Sequence, residues 1–140
     1  MPIERPRPAG KHCRHYNYEG GLKGGPRCAV GVDLSQPGST QACMPPKDGM
    51  AACAKREENT EAERAAWEAY REQSMERMVK IMPLIPGSSR DRKKRDHWGK
   101  QGAISPCPGC GEGTVRWVRS SYNGHLHAAC TTVNCFAVME

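Results

Sequence analysis

The sequence predicts a small, metal-stabilised α+β protein. It would comprise an irregular N-terminal module with four cysteines, one central α-helix, and a C-terminal β-hairpin between two cysteine pairs. Three observations predict this. Among 140 residues there are eight cysteines, while hydrophobic residues make up 37 % and include a single Phe. The cysteines form two sets of four at opposite ends, and one long helical pattern lies between them. The 15 glycines and 11 prolines break up the rest. A unit of roughly 40–60 residues buries too little apolar surface to be secure alone and needs metal, disulfides or a partner.

Residues 1–12 are proline-rich and charged, and are expected to be disordered. Residues 13–56 hold Cys13, Cys28, Cys43 and Cys53, separated by 14, 14 and 9 residues, among turn residues such as Gly24-Gly25-Pro26 and Pro45-Pro46. No pair has Cys-x-x-Cys spacing. Four cysteines in a core-poor, turn-rich segment argue for a structural metal. His12 and His15 flank the first cysteine and widen the choice of ligands. Thiolate sites select zinc or iron–sulfur; zinc is the expected metal, with a [4Fe–4S] cluster or separate buried cysteines as alternatives.

The central helix is expected over residues 60–82. Thr60 and Glu63 form a capping-box pattern and Pro83 stops the helix. Trp67, Tyr70, Ser74, Met78, Ile81 and Met82 fall on one face at a 3.6-residue period. This stripe is expected to pack on the N-terminal module. A dimer seam or a partner surface is the alternative, because Met adapts to varied surfaces.

Residues 83–101 read as a basic linker. The formal charge of the chain is +6, and much of it sits here: Arg90, Arg92, Lys93, Lys94, Arg95 and Lys100 outnumber Asp91 and Asp96. Such a segment suits an anionic partner, and its bland reading is a solvated tether.

Residues 102–140 carry the clearest pattern: Cys107-Pro108-Gly109-Cys110-Gly111, then Cys130 and Cys135 after 19 intervening residues. Thiolates suit zinc, which takes four such ligands in a tetrahedron. A Cys-x-x-Cys turn brings two sulfurs together, and a hairpin returns the second pair. This is the plan of a zinc ribbon. Thr114–Tyr122 and His125–Ala129 read as its strands, with Asn123-Gly124 as a two-residue type I′ turn. That turn puts Tyr122 opposite His125, Ser120 opposite His127 and Trp117 opposite Cys130. Val115, Trp117, Arg119, Leu126, Ala128 and Cys130 then share the packed face. Arg116, Val118, Ser120, Tyr122, His125, His127 and Ala129 share the other. Four cysteines already complete the site, so His125 and His127 read as surface residues able to touch bases.

The Cys-Pro-x-Cys-Gly motif, the Tyr-Asn-Gly hairpin tip and Cys130-Thr131-Thr132-x-x-Cys135-Phe136 resemble the C-terminal zinc ribbons of bacterial type I DNA topoisomerases. That resemblance covers about residues 105–138 and implies contact with single-stranded DNA, without the topoisomerase catalytic domain. The whole layout also resembles a group of small proteins encoded by bacteriophages of Gram-negative hosts. The residues that carry it are His12-Cys13-x-His15-Tyr16-Asn17, Cys28-Ala29-Val30-Gly31-Val32 and the terminal Met139-Glu140. It implies a phage origin and action in the host cytoplasm.

The expected function is therefore a zinc-binding protein that binds nucleic acid, chiefly single-stranded, or regulates nucleic-acid machinery. Arg90, Arg92, Lys93, Lys94, Arg95 and Lys100 would follow phosphates with Arg116. Trp98, Tyr122, His125 and His127 would stack on or bond to bases. The alternative is a protein-interaction module that redirects or inhibits a host enzyme or a defence complex. No Cys–His or Ser–His–Asp constellation suggests an enzyme, and four thiolates would close a zinc site to catalysis. The chain starts without an apolar signal-peptide core and has no membrane-spanning run, so a reducing cytoplasm is expected. Disulfides are the competing use of the cysteines.

Overall fold

The computed structural model of the chain describes residues 1–20, 22–47, 49, 51–87 and 95–140. It is a small α+β structure with one α-helix and two antiparallel sheets among the described residues. The chain divides into two units, one of residues 6–68 and one of residues 1–5 with 69–140. No helix is long and apolar enough to cross a membrane among the described residues.

In the unit of residues 6–68, β1 (Tyr16–Glu19) and β2 (Gly25–Cys28) form a hairpin, where the sequence suggested irregular structure. The backbone comes so close at its turn that a Cβ on Gly24 would lie 2.0 Å from the Glu19 carbonyl oxygen. Pro26 is tolerated because a two-stranded sheet leaves one edge of each strand unpaired. A 3₁₀ turn, Ser39–Cys43, follows. The apolar cluster here is small: Cys13, Leu34 and Cys43 are buried, with Tyr16, Cys28 and Val32 packed on them.

The helix α1 spans Glu61–Ile81. Its capping box forms in both directions. The Glu63 backbone N–H donates to Thr60 Oγ1 at 3.2 Å, and the Thr60 N–H donates to Glu63 Oε2 at 2.8 Å. Arg14 and Arg7 also reach Glu63, at 3.0 and 3.3 Å.

The segment 1–12, expected to be disordered, is instead tied down within each unit. Buried Asn59 donates to the carbonyls of Gly10 and His12, and its Oδ1 accepts from Arg7. The Ile3 N–H donates to the Val133 carbonyl, and Asn134 donates to the Ile3 carbonyl. Backbone groups fixed by such bonds do not need regular structure to be ordered.

In the other unit, β3 (Gln101–Ile104), β4 (Val115–Arg119), β5 (Leu126–Cys130) and β6 (Ala137–Met139) form one antiparallel sheet in that order. Val115, Trp117 and Arg119 of β4 are buried in strict alternation with exposed Arg116 and Val118. Leu126 and Ala128 of β5 alternate with His127 and Ala129 in the same way. The helix residues Met78, Ile81 and Met82, with Ile85, join this core. The second half of the helical stripe therefore covers the four-stranded sheet, which corrects the expectation that the stripe packs on the N-terminal module.

The hairpin register differs from the expected one by two residues: Val115 pairs with Cys130, Trp117 with Ala128, and Arg119 with Leu126. Ser120 donates to the His125 carbonyl, so residues 121–124 make a four-residue loop. A type I′ turn needs positive φ at both central residues. Gly124 has φ 73°, whereas the one positive-φ residue other than glycine among the described residues is Asn134. Asn123 instead uses its side chain, accepting from the His125 N–H at 3.0 Å. Side chains alternate with period two, so a slip of two leaves every residue on the expected face.

Candidate metal centre

Cys107 and Cys110 lie in the loop between β3 and β4. Cys130 ends β5, and Cys135 lies just before β6. Their four sulfurs all fall within 4.8 Å of one another and form a group able to hold a metal ion. Cys107 and Cys135 are buried, and Cys110 and Cys130 are half-buried. The Cys107–Cys135 and Cys110–Cys130 sulfurs are each 3.8 Å apart, well beyond the ~2.05 Å of a disulfide bond.

The local sequence builds two matching turns. After Cys107, Gly111 donates its N–H to the Cys107 carbonyl at 2.7 Å, and it does so at φ 77°, a conformation suited to glycine. Gly109 donates to Cys107 Sγ at 3.3 Å and Gly113 to Cys110 Sγ at 3.4 Å. On the second arm, Thr132 donates its N–H to Cys130 Sγ at 3.4 Å, and Cys135 donates to the Thr132 carbonyl at 3.2 Å. Backbone N–H groups aimed at sulfur favour thiolate over thiol.

Three of the thiols depart from the ordinary value. Burial works against ionisation of Cys110, but hydrogen bonds with Thr132 and from the N–H groups of Glu112 and Gly113 outweigh it and lower the thiol to about 6. Burial raises Cys135 and Cys130.

Arg77 is the residue that sequence reasoning missed. It lies on the buried side of α1, 7 % exposed, and its Nε donates to the Cys135 carbonyl at 2.8 Å. Its stem packs on the first cysteine turn: a Cβ on Gly109 would lie 3.2 Å from both Arg77 Cβ and Cγ. Arg77 Nη2 is buried without a hydrogen-bond partner. A buried cation bonded to the backbone of Cys135 suits a metal–tetrathiolate group, whose net charge is negative. Position 77 falls within the apolar stripe, which was the available signal.

The N-terminal cysteines are gathered but not closed. Among the described residues, Cys13, Cys28, Cys43 and Cys53 do not form a group with sulfurs in mutual ligand reach. All eight cysteines are free thiols.

The expected nucleic-acid residues fall in several places. Arg90, Arg92, Lys93 and Lys94 lie outside the described residues. Residues 95–101, assigned to a linker, join the sheet unit. Arg95–His97 make a 3₁₀ turn, the Gly99 N–H donates to the Arg119 carbonyl, and Gln101 begins β3. Trp98 packs on the hairpin loop, where a Cβ on Gly124 would lie 2.1 Å from its Nε1. The Arg95 guanidinium sits 5.4 Å from the Trp98 ring centre. Trp98 is thus half-buried against the hairpin end. Tyr122 is 89 % exposed at the same end, beside exposed His125. Lys100 is exposed, and Arg116 and His127 are exposed on the outer sheet face. There they line a shallow depression floored by Ala129 and Ala137, with Met139 at its side.

Arg119 holds this end together. It is 2 % exposed and donates to the carbonyls of Pro86, Gly87 and Gly124. It also faces the Glu140 carboxylate at 3.6 Å.

No protein-family model matches the chain, and no curated protein or solved structure matches it.

Proposed function

We propose that Cys107, Cys110, Cys130 and Cys135 hold zinc in a zinc-ribbon unit whose hairpin end binds single-stranded nucleic acid. The metal assignment is supported by distance. A tetrahedron of sulfurs about 2.3 Å from zinc has edges of about 3.8 Å, and both close sulfur pairs are separated by 3.8 Å. Such a site has no open position, so its role is structural. Thiolate ligands suit a reducing cytoplasm.

One observation carries the nucleic-acid reading: the packing of Trp98 on Gly124. It fixes the end of the basic segment, at Arg95, against the hairpin loop that exposes Tyr122. Cations for phosphates and a ring for a base thus come from one end of the unit, the combination that grips single strands with little sequence preference. The test is fluorescence anisotropy with labelled single-stranded DNA and RNA at several salt concentrations. Tyr122→Ala should cost about 1–3 kcal/mol in binding with little change in salt slope. Reversing Arg92, Lys93, Lys94 and Arg95 should lower the log–log salt slope by about 0.7 per lost phosphate contact. Absence of binding by the wild type at low salt would refute the reading. A protein-interaction module would then take its place, favoured by the exposed apolar Val118 and Met139 on the outer sheet face.

A further inference from the structure

Outside the C-terminal centre, the densest group of metal-ligating side chains is the N-terminal cysteine set. A series of backbone contacts links all four. Cys28 pairs with Tyr16 across the β1–β2 hairpin. The Tyr16 N–H donates to the Cys13 carbonyl at 3.0 Å, the Cys13 N–H to the Cys43 carbonyl at 2.7 Å, and the Cys53 N–H to the Ala42 carbonyl at 3.4 Å. Residues distant in sequence are thereby brought around Cys43. Buried Cys13 and Cys43 share their cluster with Leu34, and Cys28 packs on it.

Each of three cysteines also opens a tight turn. The N–H groups of Tyr16, Gly31 and Arg56 donate to the carbonyls of Cys13, Cys28 and Cys53, three residues earlier in each case. The Glu57 N–H donates to Cys13 Sγ at 3.3 Å, the kind of N–H···S bond that surrounds the C-terminal centre.

A half-buried arginine accompanies this set as well: the Arg56 side chain is 11 % exposed, and its Nε donates to the carbonyl of Met44, next to Cys43, at 3.1 Å. In the C-terminal centre Arg77 likewise bonds a backbone carbonyl, that of Cys135. The nearby histidines are engaged elsewhere. His12 stacks on Tyr16 with ring centres 4.3 Å apart, and His15 Nε2 faces the Glu57 carboxylate at 3.5 Å. The donor set that remains is four sulfurs.

We infer that Cys13, Cys28, Cys43 and Cys53 form a second structural metal site, which takes one divalent ion with a preference for tetrahedral thiolate ligands, namely zinc. The ion draws the sulfurs from their loose gathering into a closed tetrahedron. The unit needs such a staple, because its buried apolar residues are confined to Ala9, Cys13, Leu34 and Cys43 among the described residues. This inference stands independently of nucleic-acid binding.

The test is metal analysis of the full chain, purified under reducing conditions, with zinc-edge X-ray absorption on the same sample. The wild type should carry two zinc ions per chain and show a shell made wholly of sulfur at about 2.3 Å. Replacing the two half-buried ligands together, Cys28→Ser with Cys53→Ser, should leave one. Cys110→Ser with Cys130→Ser should also leave one. One zinc in the wild type would overturn the inference. Two zinc ions retained after loss of Cys28 and Cys53 would do the same, as would iron with sulfide in place of the second zinc. The wild-type stoichiometry decides the matter even where a variant fails to fold.

Discussion

Replacing Arg77 by methionine should weaken the C-terminal metal site while leaving its packing in place. Methionine keeps an unbranched stem of similar reach against Gly109, and it removes the charge and the bond to the Cys135 carbonyl. A divalent ion with four thiolates carries two net negative charges, and Arg77 is the buried cation bonded to the backbone of Cys135. A hydrogen bond from a charged donor is worth about 1.5–3 kcal/mol. Loss of such an outer-shell partner typically lowers metal affinity about 10–100-fold, which is ~1.4–2.7 kcal/mol and agrees with that range. The assay is competition for zinc with a chromophoric chelator, at fixed pH, because ligand deprotonation makes the affinity pH-dependent. Arg77→Lys restores the charge without the guanidinium fork and should recover part of the loss. A methionine variant with wild-type zinc affinity would refute the charge argument.

Two further outcomes follow from the packing and the cap. A Cβ on Gly102 would lie 2.8 Å from the Trp117 ring, so Gly102→Ala should cost about 1–3 kcal/mol in denaturant unfolding of the metal-loaded protein, as overpacking does. The Glu63 carboxyl is held below its ordinary value by the Thr60 N–H, with Arg14 and Arg7 adding to the effect. Its contribution to the cap is therefore complete above the ordinary carboxylate range and is lost as pH falls through the lowered folded value. Amide protection at Ala62–Arg64, taken relative to the intrinsic exchange rate at each pH, should fall over that acid window in the wild type, while Glu63→Gln should flatten the response.

What the sequence disclosed depended on periodicity. The helix ends agree to within a residue because a capping box and a proline mark them. The sheet faces were legible because buried and exposed residues alternate through 115–119 and 126–130. The hairpin register was not, because a slip of two preserves every face, and Asn123 takes an Asx bond in place of a left-handed backbone. The strands β3 and β6 were missed because they are short and complete a sheet that hydrogen bonds, not patterning, define. Within the site, cysteine spacing disclosed the four C-terminal sulfurs. Spacing alone did not disclose Arg77, whose one signal was its place in the apolar stripe of the helix. The packing of Trp98 on Gly124 was not legible, because nothing in the sequence links the two across 26 positions.

On the proposed reading, a metal held by Cys107, Cys110, Cys130 and Cys135 fixes the four-stranded unit. Hydrogen exchange of the amides in β3–β6, followed with zinc bound and again after chelation under reducing conditions, tests it most directly. Binding free energy at a structural thiolate site is folding free energy. Slow exchange is therefore expected across 101–104, 115–119, 126–130 and 137–139 in the loaded protein, with collapse of that protection once the metal is removed. Protection that survives complete removal of the metal would contradict that reading.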